Sequence, residues 1–333
     1  MVTAGRVVTL LVVVAIVAGG VWVQRALDET RAQPPAGTTA QHAATTSLPP
    51  ATALQTPPPQ AEVGPLPEPA GASRVDLGRP SLLTERLRPA PRAGLAFDFA
   101  DGRVLWRRGA TRRHPIASLT KLMTALLAVE RFGPHDLVRI PRRADSIGGS
   151  RMGGLRPGRR VRAEVLLEGL LISSGNDAAV TLAIAGAGSE RAWVALMNRR
   201  AKLLGLRCTR FVDSHGLAPG DLSCAADVAA LAMRAVAEPR IARIARRRYA
   251  RVWPGAGRKL TLRTTNHLVR ERYPGAIGLK TGYTSLAGFC LVAVVERGDR
   301  RIGIVLLGSR NTWADARRLT RAAVRAGALP AAV

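Results

Sequence analysis

The chain has 333 residues, of which 47% are hydrophobic, so it can build a substantial core and is not a wholly disordered protein. Its formal net charge is +27, while only 4% of its residues are aromatic. Proteins that bind single-stranded nucleic acid stack bases on aromatic side chains, so the low aromatic content does not favour a nucleic-acid partner. Two interpretations of the charge stay open: attraction to an anionic lipid or an acidic wall polymer, or arginines scattered over solvated surfaces.

The first 27 residues contain an uncharged, almost wholly apolar run at positions 7–23, which follows Arg6. Its length suits either a short membrane-spanning helix or the apolar region of a secretory signal. We favour an uncleaved anchor, because Val21, Trp22 and Val23 continue the run beyond the small residues at 18–20. Both interpretations place the rest of the chain outside the cytoplasm.

Residues 28–78 are rich in Pro, Ala, Thr and Gln and show no helical or strand periodicity. Such a segment cannot bury enough apolar surface to offset its chain entropy, so we predict a disordered linker. Residues 79–330 then form the folded domain.

The folded part shows strand patterns at its two ends and helical patterns between them. A hairpin is predicted at 94–99 and 103–106 around Asp101-Gly102, and a second strand pair at 289–296 and 301–308. Helical periodicity covers residues 118–132, 163–172, 178–187, 190–204, 224–237 and 315–326. We therefore predict an α/β fold of the α+β kind, with one antiparallel sheet built from both ends, covering helices and an inserted, mostly helical lobe.

Three cysteines suit an exported protein with one disulfide. Cys208 and Cys224 flank a loop that contains Ser214-His215-Gly216, and we predict a bridge between them. Cys290 lies in an apolar strand pattern and is predicted to be a buried thiol.

The motif Ser118-Leu119-Thr120-Lys121 places a lysine three residues after a serine at the start of a predicted helix. Residues three apart lie on one helix face, so the amine can approach the hydroxyl. A lysine shielded from water can be neutral and can activate serine as a nucleophile. Read alone, the motif is equally an N-cap serine followed by a surface lysine.

Two further motifs complete a candidate site. Ser174-Gly175-Asn176 joins two predicted helices, and Asn176-Asp177 are expected to cap the second one. Ser174 is a candidate proton relay, and the Asn176 amide a candidate partner for a substrate backbone. Lys280-Thr281-Gly282 leads into the strand region, where a cationic strand edge can pair with an extended peptide and hold its carboxylate.

Together the three motifs resemble those of the low-molecular-weight penicillin-binding proteins that are serine-type D-alanyl-D-alanine carboxypeptidases. The resemblance extends over residues 94–326 and includes the flanking stretches 116–125, 171–179, 214–217 and 278–284. It implies a β-lactamase-like fold. The apolar run at the N-terminus predicts that this enzyme is tethered to the bacterial cytoplasmic membrane by residues 7–23, or secreted if this segment is cleaved.

The resemblance also implies roles for individual residues. Ser118 attacks the bond between the last two D-alanines of a peptidoglycan stem peptide, and Lys121 takes its proton. Ser174 and Lys280 assist the leaving group, and the backbone N–H groups of Ser118 and Tyr283 form the oxyanion hole. The residues expected to be catalytic are Ser118, Lys121, Ser174, Asn176 and Lys280, and those expected to bind substrate are Thr281, Gly282, Tyr283 and Arg310. Arg310 is the candidate for the arginine near the start of the last helix that binds the carboxylate in many relatives. β-Lactams are expected to acylate Ser118, and neither a metal nor another cofactor is expected.

Three alternatives remain at this point. A class A β-lactamase needs a deacylating glutamate, and the sequence shows no Glu-x-x-Leu-Asn stretch after Ser174. A D,D-endopeptidase that cleaves cross-links would use the same residues. A non-catalytic wall-binding scaffold would need none of them. The basic stretch at 240–251 is either a contact for anionic lipid or wall polymer, or a solvated helix face.

Overall fold

The computed structural model describes residues 73–332 except residue 256. The predicted anchor, and the predicted linker as far as residue 72, lie outside the described residues. Of the helices within the described part, none is both long and apolar enough to cross a membrane.

Strands lie towards both ends of the folded region, as predicted, and further short strands lie between them. They are β1 (Ala93–Asp98), β2 (Val104–Arg108), β3 (His114–Pro115), β4 (Leu137–Arg139), β5 (Arg160–Arg162), β6 (Leu222–Ser223), β7 (Tyr249–Val252), β8 (Leu260–Arg263), β9 (Ala276–Thr284), β10 (Gly288–Arg297) and β11 (Arg300–Ser309).

Helices occupy the middle of the chain and its end. They are α1 (Lys121–Arg131), α2 (Arg143–Ser146), α3 (Ala163–Leu171), α4 (Asn176–Ala187), α5 (Glu190–Leu203), α6 (Ala225–Ala237), α7 (Pro239–Ala245), α8 (His267–Arg270) and α9 (Thr312–Arg325), with a 3₁₀ turn at Ala117–Thr120 before α1.

The main sheet has the strand order β2-β1-β11-β10-β9, and every neighbouring pair is antiparallel. This confirms the predicted antiparallel sheet and the hairpin of β1 and β2. Alternating residues along β10 and β11 point to opposite faces, so each face is buried under helices. One face packs on α6 and the helical lobe, and the other packs on α9. Strand β9 lies at the edge of the sheet, against the 3₁₀ turn, and this places its three-residue motif beside the serine.

Several boundaries differ from the sequence prediction. The helix expected from Ser118 begins as a 3₁₀ turn, and α4 already begins at Asn176, after Gly175 as its N-cap residue. Asn176 and Asp177 are therefore not the caps that we expected. The end of the predicted linker was wrong as well: Asp76 forms a β-bridge with Arg103, and side chains at positions 75 and 77 pack against the core.

Candidate active site

Ser118 lies in the 3₁₀ turn, half-buried, between two close backbone approaches. A Cβ atom added at Gly216 would lie 2.0 Å from the carbonyl oxygen of Ala117, and one added at Gly282 would lie 2.8 Å from the amide nitrogen of Ser118. Both positions therefore need glycine to let a loop and strand β9 reach the serine turn. The Gly282 in the predicted motif is thus explained by the space around the nucleophile.

Lys121 is fully buried at the first turn of α1, and its amine is surrounded by three oxygen atoms. The Nζ atom lies 2.9 Å from Ser118 Oγ, 2.7 Å from Asn176 Oδ1 and 2.6 Å from the carbonyl oxygen of His215. A neutral amine has two N–H groups and one lone pair. The amide and carbonyl oxygens can only accept, so they take the two N–H groups and leave the lone pair for the hydroxyl of Ser118.

The charge on Lys121 is set by its burial. Burial lowers the pKa of Lys121 from 10.5 to about 7, although the carboxylates of Asp213, Asp221 and Asp177 favour the charged form. A base whose pKa lies near neutrality is suited to accept a proton at physiological pH.

The orientation of Asn176 is fixed by both ends of its amide. Its Nδ2 donates to the carbonyl oxygen of Gly148 at 2.7 Å, so its Oδ1 must face Lys121. The side chain therefore positions the amine of Lys121 in this substrate-free structure, a contact that we did not predict.

Ser174 and Lys280 form a second hydroxyl–amine pair in the site. Lys280 Nζ donates to Ser174 Oγ at 2.9 Å and to the carbonyl oxygen of Thr281 at 2.8 Å. Ser174 has φ of 60°, a left-handed conformation that a non-glycine residue adopts at a cost. Burial, and secondarily the charge of Lys121, lowers the pKa of Lys280 well below its usual value. A charge on Lys121 therefore disfavours a proton on Lys280.

The carbonyl that holds Lys121 belongs to a loop organised around Asp213. Its carboxylate accepts hydrogen bonds from the N–H groups of the four residues at 215–218. His215 is buried, with Nδ1 3.2 Å from Asp213 and Nε2 3.5 Å from Glu190. Burial lowers the pKa of His215, against the opposing effect of Asp213.

Asp221 ties the same loop to the turn of the nucleophile. It accepts hydrogen bonds from the N–H of Val212 at 2.6 Å and from the hydroxyl of Thr120 at 2.9 Å. Burial, and then the charge of Asp213, raises the pKa of Asp221 to about 8.

A disulfide between Cys208 and Cys224 closes the loop, with their Cα atoms 5.5 Å apart, which confirms the predicted bridge. Cys290 is a buried free thiol, as predicted, and burial raises its pKa to about 11. The two bridged sulfurs lie near Asp227, but its Oδ2 accepts from the Cys208 N–H and the Thr209 hydroxyl. This group therefore offers a metal no open set of ligands.

The predicted substrate-binding residues lie on or beside β9 and the end of β11. The Thr281 hydroxyl is 2.6 Å from the hydroxyl of Thr265. Tyr283 is exposed, and its ring packs on Phe289 with 4.5 Å between ring centroids. Arg310 does not contact Ser118 or Lys121 in the structure; it lines a 440 Å³ cleft that also includes Tyr283 and Phe289.

Sequence reasoning missed the supporting residues. Asp213, Asp221, Glu190 and Thr265 were not singled out, although the stretch 214–217 had been matched to the family. An aspartate directly before Ser214-His215-Gly216 was the available signal for Asp213. Thr265 lies far along the chain from Thr281, and no local pattern connects the two.

Comparison with known proteins gives consistent matches over the same region. The family described as D-alanyl-D-alanine carboxypeptidase matches residues 87–311. The chain is 34% identical to the D-alanyl-D-alanine carboxypeptidase DacF of Bacillus subtilis over 68% of this chain and 59% of that protein. It is 36% identical to DacB2 of Mycobacterium tuberculosis over 68% of this chain and 79% of that protein.

A solved structure of a D-alanyl-D-alanine carboxypeptidase from Mycobacterium tuberculosis superimposes with a TM-score of 0.68 at 31% identity, covering 74% of this chain and 94% of that one. The chain spans about three fifths of the length of the first curated relatives that it matches.

Proposed function

Because the chain belongs to the D-alanyl-D-alanine carboxypeptidase family, we propose that it hydrolyses the terminal D-Ala-D-Ala bond of peptidoglycan stem peptides through an acyl-enzyme on Ser118. The observation that carries the proposal is the amine of Lys121, held by two obligate acceptors so that its lone pair faces Ser118 Oγ at 2.9 Å. Nucleophile and base are then within hydrogen-bond reach, and a third group orients the base.

In the acylation step, Ser118 Oγ forms a bond to the carbonyl carbon of the penultimate D-alanine while its proton passes to Lys121 Nζ. The carbonyl oxygen gains negative charge, which the N–H groups of Ser118 and Tyr283 stabilise. The C–N bond then breaks as Ser174, supported by Lys280, gives its proton to the leaving amine of D-alanine and regains one from Lys121. In the second step water attacks the ester carbonyl while Lys121 takes its proton, and this proton passes to Ser118 Oγ as the ester bond breaks, which restores both side chains.

Substrate recognition is assigned to the free edge of β9. An extended peptide can add to this edge by backbone hydrogen bonds, and Gly282 leaves it close to the nucleophile. We assign the terminal carboxylate to the hydroxyl of Thr281 and to the amine of Lys280, whose charged form a bound carboxylate would favour. Arg310, in the adjoining cleft, is the second candidate for it.

The test is incubation of the enzyme with a pentapeptide ending in D-Ala-D-Ala and with a cross-linked peptide dimer, followed by mass analysis. Release of D-alanine from the pentapeptide, lost in Ser118→Ala, is expected. Cleavage of the dimer alone would point to an endopeptidase. Fluorescent penicillin provides a second readout, because it should label the wild-type protein covalently and leave Ser118→Ala unlabelled. A folded protein that neither labels nor hydrolyses would contradict the enzymatic function and favour a scaffold.

We also propose that the enzyme works outside the cytoplasm, tethered by residues 7–23. The support is the uncharged apolar run followed by a segment too polar to fold. Cell fractionation is the test. The activity should sediment with the membranes, and it should be released into the culture medium when residues 1–27 are replaced by a cleavable signal. Activity in the cytoplasmic fraction would contradict the proposal.

A further inference from the structure

A basic surface is formed by two small β-ribbons outside the active site. In the first ribbon, β4 pairs with β5 so that Arg139 lies directly opposite Arg160, and Leu137 opposite Arg162. All four side chains are exposed, whereas Val138 and Val161 between them are buried. Like charges directly opposite each other destabilise a strand pair, so this arrangement favours an anion over the ribbon.

The second ribbon extends the surface. Strand β7 pairs with β8 so that Tyr249 lies opposite Arg263, and Arg251 opposite Thr261, again with outward side chains. Gly255, which follows β7, lies against the first ribbon, because a Cβ atom added there would lie 2.2 Å from the carbonyl oxygen of Arg160. We call the exposed residues of both ribbons, together with Trp253, the ribbon surface.

Acidic residues are missing from the segments that form this surface. Residues 137–144, 151–163 and 246–266 contain no Asp or Glu. Among the described residues, no carboxylate forms an ion pair with Arg139, Arg160, Arg162, Arg251 or Arg263.

Neighbouring arginines in the basic stretch 240–251 behave differently. Arg240 and Arg243 pair with Glu164, Arg247 pairs with Glu168, and Arg246 pairs with Glu296. The arginines of that stretch on α7 are therefore held by a carboxylate within the domain. The arginines of the ribbons, in contrast, pair with no carboxylate of the described residues.

Large apolar side chains stand among these charges. Leu137, Tyr249 and Trp253 are 60%, 56% and 58% exposed. Tryptophan and tyrosine are favoured at the level of lipid headgroups, and basic residues are attracted to anionic lipids. A soluble polyanion would be attracted by the arginines alone, and it gives no reason for the exposed leucine and aromatic rings.

We propose that the ribbon surface docks the domain on an anionic phospholipid bilayer, with Trp253, Tyr249 and Leu137 at headgroup level and the unpaired arginines on lipid phosphates. This inference is independent of the catalytic reaction. It also holds whether or not the N-terminal segment anchors the chain, since it concerns how the folded domain lies on the membrane.

The test uses the full chain and vesicles of neutral lipid, with or without about 30 mol% phosphatidylglycerol, and brominated lipid as a tryptophan quencher. Subtracting the emission of the Trp253→Phe variant leaves the fluorescence of Trp253 alone. Quenching of other tryptophans, including any in a membrane tether, then does not contribute to the signal. Quenching should require phosphatidylglycerol and should disappear at about 0.5 M salt. The triple variant Arg139→Ser, Arg160→Ser, Arg162→Ser should need about a hundredfold more anionic lipid for half-maximal quenching. Each removed charge is expected to cost about 1 kcal/mol of binding, and about 1.4 kcal/mol corresponds to a tenfold change.

A matched control removes three exposed charges elsewhere, with Arg103→Ser, Lys202→Ser and Arg321→Ser. It should leave quenching of Trp253 unchanged, and both triple variants should acylate with penicillin at the wild-type rate, which shows that they are folded. If both triple variants lost quenching of Trp253 equally, the effect would depend on net charge and not on the ribbon surface, and the proposal would be overturned. Binding of a soluble poly(glycerol phosphate) without quenching by brominated lipid would also overturn it, because this result would assign the surface to a wall polymer.

Discussion

The protonation state of Lys121 should control the rate at which Ser118 is acylated. With a pKa of about 7, half of the Lys121 amines are neutral at pH 7. At the ordinary pKa of 10.5, only roughly one in 3000 would be neutral at that pH. Burial therefore raises the population of the active base by roughly a thousandfold. The neutral form is the reactive one, so the rate must fall as the pH falls below about 7.

The assay is the second-order rate constant for acylation by a fluorescent penicillin between pH 5 and pH 8. The rate should rise by roughly ninetyfold across this range, because the neutral fraction of a group with a pKa of about 7 rises from about 1% to about 90%. Lys121→Arg retains the charge but cannot act as a base, so it should lose at least about a hundredfold in rate at pH 8. A pH-independent rate in the wild type, or acylation of Lys121→Arg at the wild-type rate, would refute the assignment of Lys121 as the base.

Three other changes test the support around the nucleophile. Gly282→Ala places a methyl group 2.8 Å from the Ser118 amide nitrogen and should slow acylation by about a hundredfold, whereas Gly148→Ala, with nothing within 4 Å, should not. Replacing both Cys208 and Cys224 by Ser should lower the free energy of unfolding by about 3 kcal/mol in urea, and reductant should then change nothing further in that variant. Thr265→Val should raise KM for the pentapeptide about fivefold at unchanged kcat, because the Thr281 hydroxyl loses its partner, and Thr265→Ser should restore the wild-type value. An unchanged KM in Thr265→Val would contradict the role of Thr265 in holding the Thr281 hydroxyl. An equal loss of acylation rate in Gly282→Ala and Gly148→Ala would contradict the steric role of Gly282.

Sequence pattern was sufficient for the parts of the site that follow from local geometry. The three-residue spacing of Ser118 and Lys121 predicted their contact, and apolar strand patterns at both ends of the domain predicted one sheet built from both. The two hydrogen-bond acceptors of the Lys121 amine could not be predicted from such local patterns. One is the backbone carbonyl of His215, and a backbone carbonyl is present at every residue, so the sequence does not mark it. The other is the side chain of Asn176, whose motif suggested a helix cap and a substrate contact instead. Both depend on contacts across more than fifty residues, which only the folded chain specifies.

The position of Lys121, the proposed base, therefore depends as much on the loop at 208–224 as on its own helix. The disulfide joins the two ends of this loop, and the Asp213 carboxylate accepts hydrogen bonds from backbone N–H groups within it. The backbone carbonyl of His215 in the loop accepts a hydrogen bond from Lys121. If that carbonyl moved away, the buried amine would lose one of two obligate acceptors, and its lone pair would no longer be directed at Ser118. A change in the loop should therefore lower the acylation rate without altering the nucleophile, and this dependence separates a positioned base from a lysine that merely lies nearby.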